Sequence, residues 1–353
     1  MAAKRKANRR RRGRLGAPLE PVPSLPVRER LPAVDCIKAA AIAAVVLTHA
    51  LLEPAGGEWV PSYLRPTLLD TWLHFAVQFC VPAFLLASGV LHGQGGPLDG
   101  PTLRRRLTRI VGPYLIASAV AQVGGFSGAE TPWDVAFQLA TGASLFIYYY
   151  VFLLVICLLL TWPLERLHPR GPEVTLAALA VYGIATTFVP GPPESFFWQI
   201  RNPVHFYGYF LAGLVAWRHR ATLARLRGRA AGLAAAACAA GVGAYVAAGP
   251  GLYYSSDAAG ALRALYTLSL VGLVALVGSH REPPAAILFL SRASYAIYLY
   301  HFFFESLAAP STLRWPAGLR IAAVVGAGLI GATVLCIAGA RLLGTRARPL
   351  LGV

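Results

Sequence analysis

Ten apolar stretches, at about residues 33–52, 68–91, 109–126, 144–162, 173–190, 203–217, 229–248, 259–279, 285–307 and 318–343, dominate this chain. A helix of about 20 apolar residues crosses the ~30 Å hydrocarbon layer of a bilayer. Inside hydrocarbon the backbone must satisfy its own hydrogen bonds, which leaves helices as the spanning element for runs of this kind. Of 353 residues, 56% are hydrophobic and only 13% charged, with a mean hydropathy of +0.57. A soluble globular domain does not have that balance. The expected fold is therefore an all-α integral membrane protein, a bundle of about ten transmembrane helices.

The formal charge of +17 invites a nucleic-acid reading, but the basic residues fall between apolar segments, as topology determinants do. With the amino terminus inside, cytoplasmic segments hold 25 Lys/Arg and outer segments hold five: Arg65, Arg201, Arg263, Arg314 and Arg320. Lys38 and Arg292 lie within spans. This asymmetry predicts both termini in the cytoplasm and a multi-pass protein of the plasma membrane, with lipid and not nucleic acid around it. Residues 1–30, with ten Lys/Arg, read as a disordered basic tail held near an anionic inner leaflet. Residues 31–344 form the membrane domain, and 345–353 a short cytoplasmic tail. The first apolar run exceeds a signal-peptide core and lacks an evident cleavage site, so it is expected to remain as the first span. Cys36, Cys80, Cys157, Cys238 and Cys336 share no metal-ligand spacing. Neither a disulfide nor a metal centre is expected.

Ionisable groups inside a spanning helix are expensive and point to function. The first run holds Asp35, Lys38 and His49. Eleven residues make nearly three turns, so His49 lies roughly 16 Å beyond Lys38 on nearly the same face. Asp35 is three residues before Lys38 and adjacent to it on the helix surface. Val81-Pro82-Ala-Phe84-Leu-Leu-Ala-Ser88-Gly89 places a proline, expected to open a helix carbonyl, before a small-residue pair that allows close approach. Arg106 and Arg109 lie three apart at the cytoplasmic entry to the third run, where two guanidinium groups suit phosphates. Ser294, Tyr298, His301 and Glu305 recur at helical spacing and form a polar stripe, expected to face a water-lined cavity, with His301 and Glu305 paired.

Together these pieces resemble the acyltransferase type 3 family of integral membrane proteins. The likeness rests on Asp35-x-x-Lys38 followed by ten residues and His49; Phe84-x-x-x-Ser88-Gly89; Arg106-x-x-Arg109 before Pro113-Tyr114; and Ser294-Tyr295-x-Ile-Tyr298-Leu-x-His301. It covers residues 31 to 344. Lys38 stands where arginine is commoner, and Phe146-Ile-Tyr148-Tyr149-Tyr150 lacks the tryptophan often found at the start of the fourth helix. The resemblance implies transfer of an acyl group, usually acetyl, from cytoplasmic acyl-coenzyme A to a hydroxyl of a carbohydrate or glycosylated acceptor, often at the outer face. By carry-over, His49 is the catalytic histidine, Lys38 is the basic member of the motif in which ten residues separate it from His49, Asp35 is a further catalytic candidate, and Arg106, Arg109, Ser88 and Gly89 serve the donor. Ser294, Tyr298, His301 and Glu305 are further polar site candidates.

A neutral histidine suits deprotonation of the acceptor hydroxyl, acylation of His49 itself fits the sequence equally, and the arginines suit the donor's phosphates. A competing reading takes Lys38, His49, His301 and Glu305 as the relay of a proton-coupled transporter or flippase. Tyr63, Trp72, His74, Trp133, Trp198, Arg201, His205 and Tyr253 fall in outer segments, where aromatic residues anchor to the interface and also stack on sugars.

Overall fold

The computed structural model describes residues 30–55, 58–61, 73, 76–188, 196–225, 227–248, 257–278 and 282–352. The basic tail up to residue 29, and Tyr63, Trp72, His74 and Tyr253, lie outside them. Leu31–Val353 forms one compact unit. Its main helices are α1 (Pro32–Ala50), α2 (Cys80–Gln94), α3 (Gly100–Val123), α4 (Pro132–Thr141), α5 (Tyr149–Leu167), α6 (Gly171–Phe188), α7 (Pro203–Arg218), α8 (Arg227–Ala248), α9 (Asp257–Gly278), α10 (Ala285–Thr312), α11 (Ala317–Leu343) and α12 (Ala347–Leu351). Each of the ten apolar stretches carries one of them. Among the described residues, four helical segments are long and apolar enough to cross a membrane: Pro32–Ala50, Phe146–Leu167, Ala285–Thr312 and Ala317–Leu343. The chain is thus a helical membrane protein.

Helix starts follow local chemistry. Pro32 occupies the first turn of α1, where its missing N–H costs nothing, and Asp35 lies in the same turn, favourable to the helix dipole. Asp99 caps α3 by accepting from Thr102 N at 2.8 Å, and Asn202 caps α7 by accepting from Val204 N at 3.0 Å. Pro82 falls in the first turn of α2. It therefore leaves no carbonyl open in mid-helix, contrary to the reading from sequence.

α1 is the central element. It packs against α2, α9, α10 and α11, while α2 packs extensively against α7. Glycine permits that packing. A Cβ at Gly89 would collide with the Phe210 carbonyl oxygen, and one at Gly213 with the carbonyl of Leu86. Only glycine lets the two backbones approach so far. On α11, by contrast, Ile330, Val334 and Ile337 are exposed, an outward apolar face suited to lipid.

Three local features depart from the sequence expectation. Leu52–Ala55 and Glu58–Pro61 pair as antiparallel strands, so the described chain is not wholly α. The segment 126–143, which falls between two of the apolar stretches, contains α4. Its signal is a capping box: Thr131 Oγ1 accepts from Asp134 N at 3.1 Å, and Asp134 accepts from Thr131 N at 2.8 Å. The helix then ends at Gly142 in the left-handed region, φ 67°. Finally, α12 lies against α3 and α11, so the carboxy-terminal segment is folded back on the bundle.

Candidate active site

α1 and α10 run side by side in the same direction. Near their amino-terminal ends Ser291 Oγ donates to Asp35 Oδ1 at 2.6 Å; near the far end of α1, His49 Nδ1 and His301 Nε2 are 2.8 Å apart. The two imidazoles stack with centroids 5.1 Å apart and planes at 28°. Phe146 and Phe302 stand edge-on to His49 at 5.8 and 6.2 Å, and edge-on to each other at 5.1 Å. An imidazole pair thus sits within an aromatic enclosure.

The surrounding carbonyls assign the protons. His301 Nδ1 lies 2.9 Å from the carbonyl oxygens of both Ile297 and Tyr298. A carbonyl only accepts, so Nδ1 carries the hydrogen, and Nε2 of the neutral ring is the acceptor. His49 must then donate from Nδ1 to His301, which leaves its own Nε2 as the lone-pair nitrogen. Such an arrangement presents a base at one defined atom.

Glu305 is one turn further along α10, fully buried. Neither carboxylate oxygen has a hydrogen-bond partner among the described residues. The expected His301–Glu305 bond is absent, because the carbonyls and His49 already occupy both nitrogens of His301. Donor atoms of His49, His301 and Glu305 nevertheless all lie within 4.8 Å of one another, near enough in principle to share a metal ion. Gly328 of α11 makes room for the carboxylate, since a Cβ there would stand 2.7 Å from Oε1.

Ser294 and Tyr298, expected with these two to line a water-filled cavity, are packed instead. Ser294 Oγ donates to Ser291 O at 2.9 Å, and the Tyr298 hydroxyl donates to the Ile147 carbonyl. Carbonyls left within bonding reach satisfy these hydroxyls, so water is not needed.

The remaining candidates lie away from the imidazole pair and do not form one cluster. Lys38 is half-buried in the field of Asp35. Ser88 Oγ is 3.5 Å from Tyr150 Oη. Gly89 is taken up by the α2–α7 crossing. Arg106 and Arg109, expected on one face, diverge: Arg106 is half-buried and Arg109 exposed. Three residues turn a helix through about 300°, and that offset is enough to carry Arg109 off the packed side.

Sequence reasoning passed over the partners of Arg106. Its Nη1 lies 3.0 Å from Nδ1 of buried His92; His92 Nε2 lies 3.0 Å from Glu165 Oε2; and Arg218 Nη2 donates to Glu165 Oε1 at 2.9 Å. Arg218 Nη1 also reaches Glu173 Oε2 at 3.2 Å. The available signal was weak: His92 lies one turn beyond Ser88, and Glu165 closes an apolar run. Cys80, at the start of α2, meets the Thr48 side chain beside His49. His92 is twelve residues later, so the arginine network lies roughly 18 Å along the axis from the imidazole pair.

Of the outer-segment candidates, Arg201 has a structural role. It is only 2% exposed, and its Nε and Nη2 donate to the carbonyls of Thr141 and Gly142 at 2.9 and 3.3 Å, closing the end of α4. Trp133 and Trp198 are exposed. Near this end, outside the apolar segments, the Thr131 hydrogen bonds hold the Asp134 carboxyl below its ordinary range.

Set against protein-family models, residues 31–341 match the acyltransferase domain of the acyltransferase 3 type. No curated protein and no solved structure matches the chain.

Proposed function

The chain belongs to the acyltransferase 3 family of membrane acyltransferases, and on that premise we propose a specific reaction for it. It is a ten-span plasma-membrane O-acyltransferase with both termini in the cytoplasm. It takes an acyl group, acetyl foremost, from cytoplasmic acyl-coenzyme A and places it on a hydroxyl of a carbohydrate or glycosylated acceptor at the outer face. The observation that carries this reading is the proton assignment at His49, which leaves Nε2 as an oriented base.

The acceptor O–H gives its proton to His49 Nε2 as the oxygen attacks the thioester carbonyl. The new C–O bond forms, the C–S bond breaks, and the coenzyme A thiolate leaves, taking up the proton from the imidazolium. His301 keeps His49 in the productive tautomer throughout, as the carboxylate partner does for the histidine of a catalytic triad. Positive charge builds transiently on the imidazole pair, with a Glu305 carboxyl oxygen within 4.8 Å of a ring nitrogen of each histidine. The donor's phosphates fall to Arg106, with Arg109 at the exposed rim. A coenzyme A thioester is a long, thin molecule, which suits a phosphate site at one end of the bundle and a base at the other. Lys38 and Asp35 lie toward the amino-terminal end of α1.

Calorimetric titration of acetyl-coenzyme A into the purified protein tests the division of labour. Wild type and His49→Ala are expected to bind equally, and Arg106→Ala/Arg109→Ala to bind at least tenfold more weakly. Equal binding by all three would remove the arginines from the donor site.

A further inference from the structure

Arg106 is half-buried on α3, and its guanidinium is directed inward. It ends on an imidazole: Nη1 lies 3.0 Å from Nδ1 of His92, a residue 1% exposed. Guanidinium only donates, so His92 Nδ1 is the acceptor and the ring hydrogen is on Nε2. That hydrogen points at Glu165 Oε2, 3.0 Å away. The other carboxylate oxygen, Oε1, receives Arg218 Nη2 at 2.9 Å. Glu165 is itself nearly sealed, its side chain 4% exposed. The four residues come from four helices: His92 from α2, Arg106 from α3, Glu165 from α5 and Arg218 from α7.

The direction of every bond in this chain is fixed by chemistry. Glu165 can only accept, so it selects the Nε2–H tautomer of His92. The selected tautomer presents a lone pair to Arg106, whereas the alternative tautomer would present an N–H and repel it. Arg218 supplies the countercharge that lets the carboxylate stay ionised in a closed place. Phe210 packs edge-on against the His92 ring, with centroids 5.5 Å apart, and holds its plane. An arginine fixed through one nitrogen keeps its remaining N–H groups directed, so less side-chain entropy is lost when an anion binds.

We propose that His92 and Glu165 are positioning residues that orient Arg106 for the phosphates of the acyl donor. The inference rests on the reading of Arg106 as a donor-binding group and adds to it the machinery behind that arginine. His92 and Glu165 do not touch the donor. They set the orientation of the group that does.

The test is the affinity for acetyl-coenzyme A, measured by calorimetry on the full chain in detergent, for wild type, His92→Phe, His92→Gln, Glu165→Gln and Arg106→Ala. His92→Phe keeps an aromatic ring of similar size but has no acceptor. His92→Gln restores one, because its amide oxygen accepts from Arg106 while its amide nitrogen donates to Glu165. The expected result is about tenfold weaker binding for His92→Phe and Arg106→Ala, an intermediate loss for Glu165→Gln, and recovery to within about threefold of wild type for His92→Gln. Elution as a monodisperse species and an unchanged melting temperature for His92→Gln confirm that affinity, not folding, is being read. If Arg106→Ala weakens binding while His92→Phe binds as wild type does, the positioning role is overturned and the donor site stands. If His92→Gln binds no better than His92→Phe, the positioning role is likewise overturned. If Arg106→Ala binds as wild type does, the donor reading itself fails and the inference falls with it.

Discussion

At the scale of single residues, the account turns on which nitrogen of His49 holds a proton. Two carbonyls on α10 decide it through His301, so His301 should matter to rate and not to donor affinity. His301→Phe removes the acceptor for His49 Nδ1–H, and initial rates of acyl transfer should fall by about 10²-fold or more, with acetyl-coenzyme A affinity unchanged. A rate within threefold of wild type would show that the imidazole contact is incidental. The sequence made His49, Lys38, Arg106 and His301 legible as candidates because an ionisable side chain in an apolar run is conspicuous on its own. The contact between His49 and His301 was not legible. It joins positions 252 residues apart, and the polar stripe on α10 suggested Glu305 as the partner of His301. His92 was passed over for a related reason: a histidine near a helix end looks interfacial until a buried carboxylate is found facing it.

At the scale of elements, small residues decide which helices meet. Gly89→Ala places a methyl against the Phe210 carbonyl and Gly213→Ala against that of Leu86. Overpacking commonly costs about 1–3 kcal/mol, and backbone obstacles yield less readily than side chains. Either substitution should lower the melting temperature in detergent; an unchanged transition would mean that the α2–α7 crossing is looser than described. Gly328→Val acts on chemistry instead, pushing the Glu305 carboxylate away from the imidazole pair, and should slow transfer more than it weakens donor binding. The sequence motif Phe84-x-x-x-Ser88-Gly89 flagged this region correctly as one of close approach, but not which helix approaches. α4 was legible in principle from Thr131 and Asp134 but was hidden by its position in a polar outer segment. Its cap is sensitive to acid. The Asp134 carboxyl is held below its ordinary value of 3.8 by the Thr131 hydrogen bonds, so the cap's contribution is complete above that value and is lost as pH falls through the lowered one. Amide exchange in the first turn of α4 should accelerate in Asp134→Ala at neutral pH; equal protection in the variant would argue that packing alone holds this turn.

At the scale of the whole molecule, a long separation between an arginine network and an imidazole pair defines the architecture. The apolar run lengths made the helical membrane fold legible, because hydrocarbon permits few alternatives, and the distribution of Lys/Arg gave an orientation. Reporter fusions at the two termini should both read as cytoplasmic, and a reporter after Trp133 as external; opposite readings at the two termini would contradict the ten-span proposal. What sequence could not supply was that α1 and α10 are neighbours, which brings Asp35 to Ser291 and His49 to His301 in register. That pairing depends on how α2, α9 and α11 crowd α1, a property of the assembled bundle and not of any one segment. The central claim is that His49 takes the acceptor's proton. It is tested most directly by supplying labelled acetyl-coenzyme A to membranes containing wild type or His49→Ala and measuring label transferred to acceptor. The account predicts transfer by wild type and a loss of at least about 10²-fold in His49→Ala, with the variant still binding the donor. Transfer at the wild-type rate by His49→Ala would contradict it.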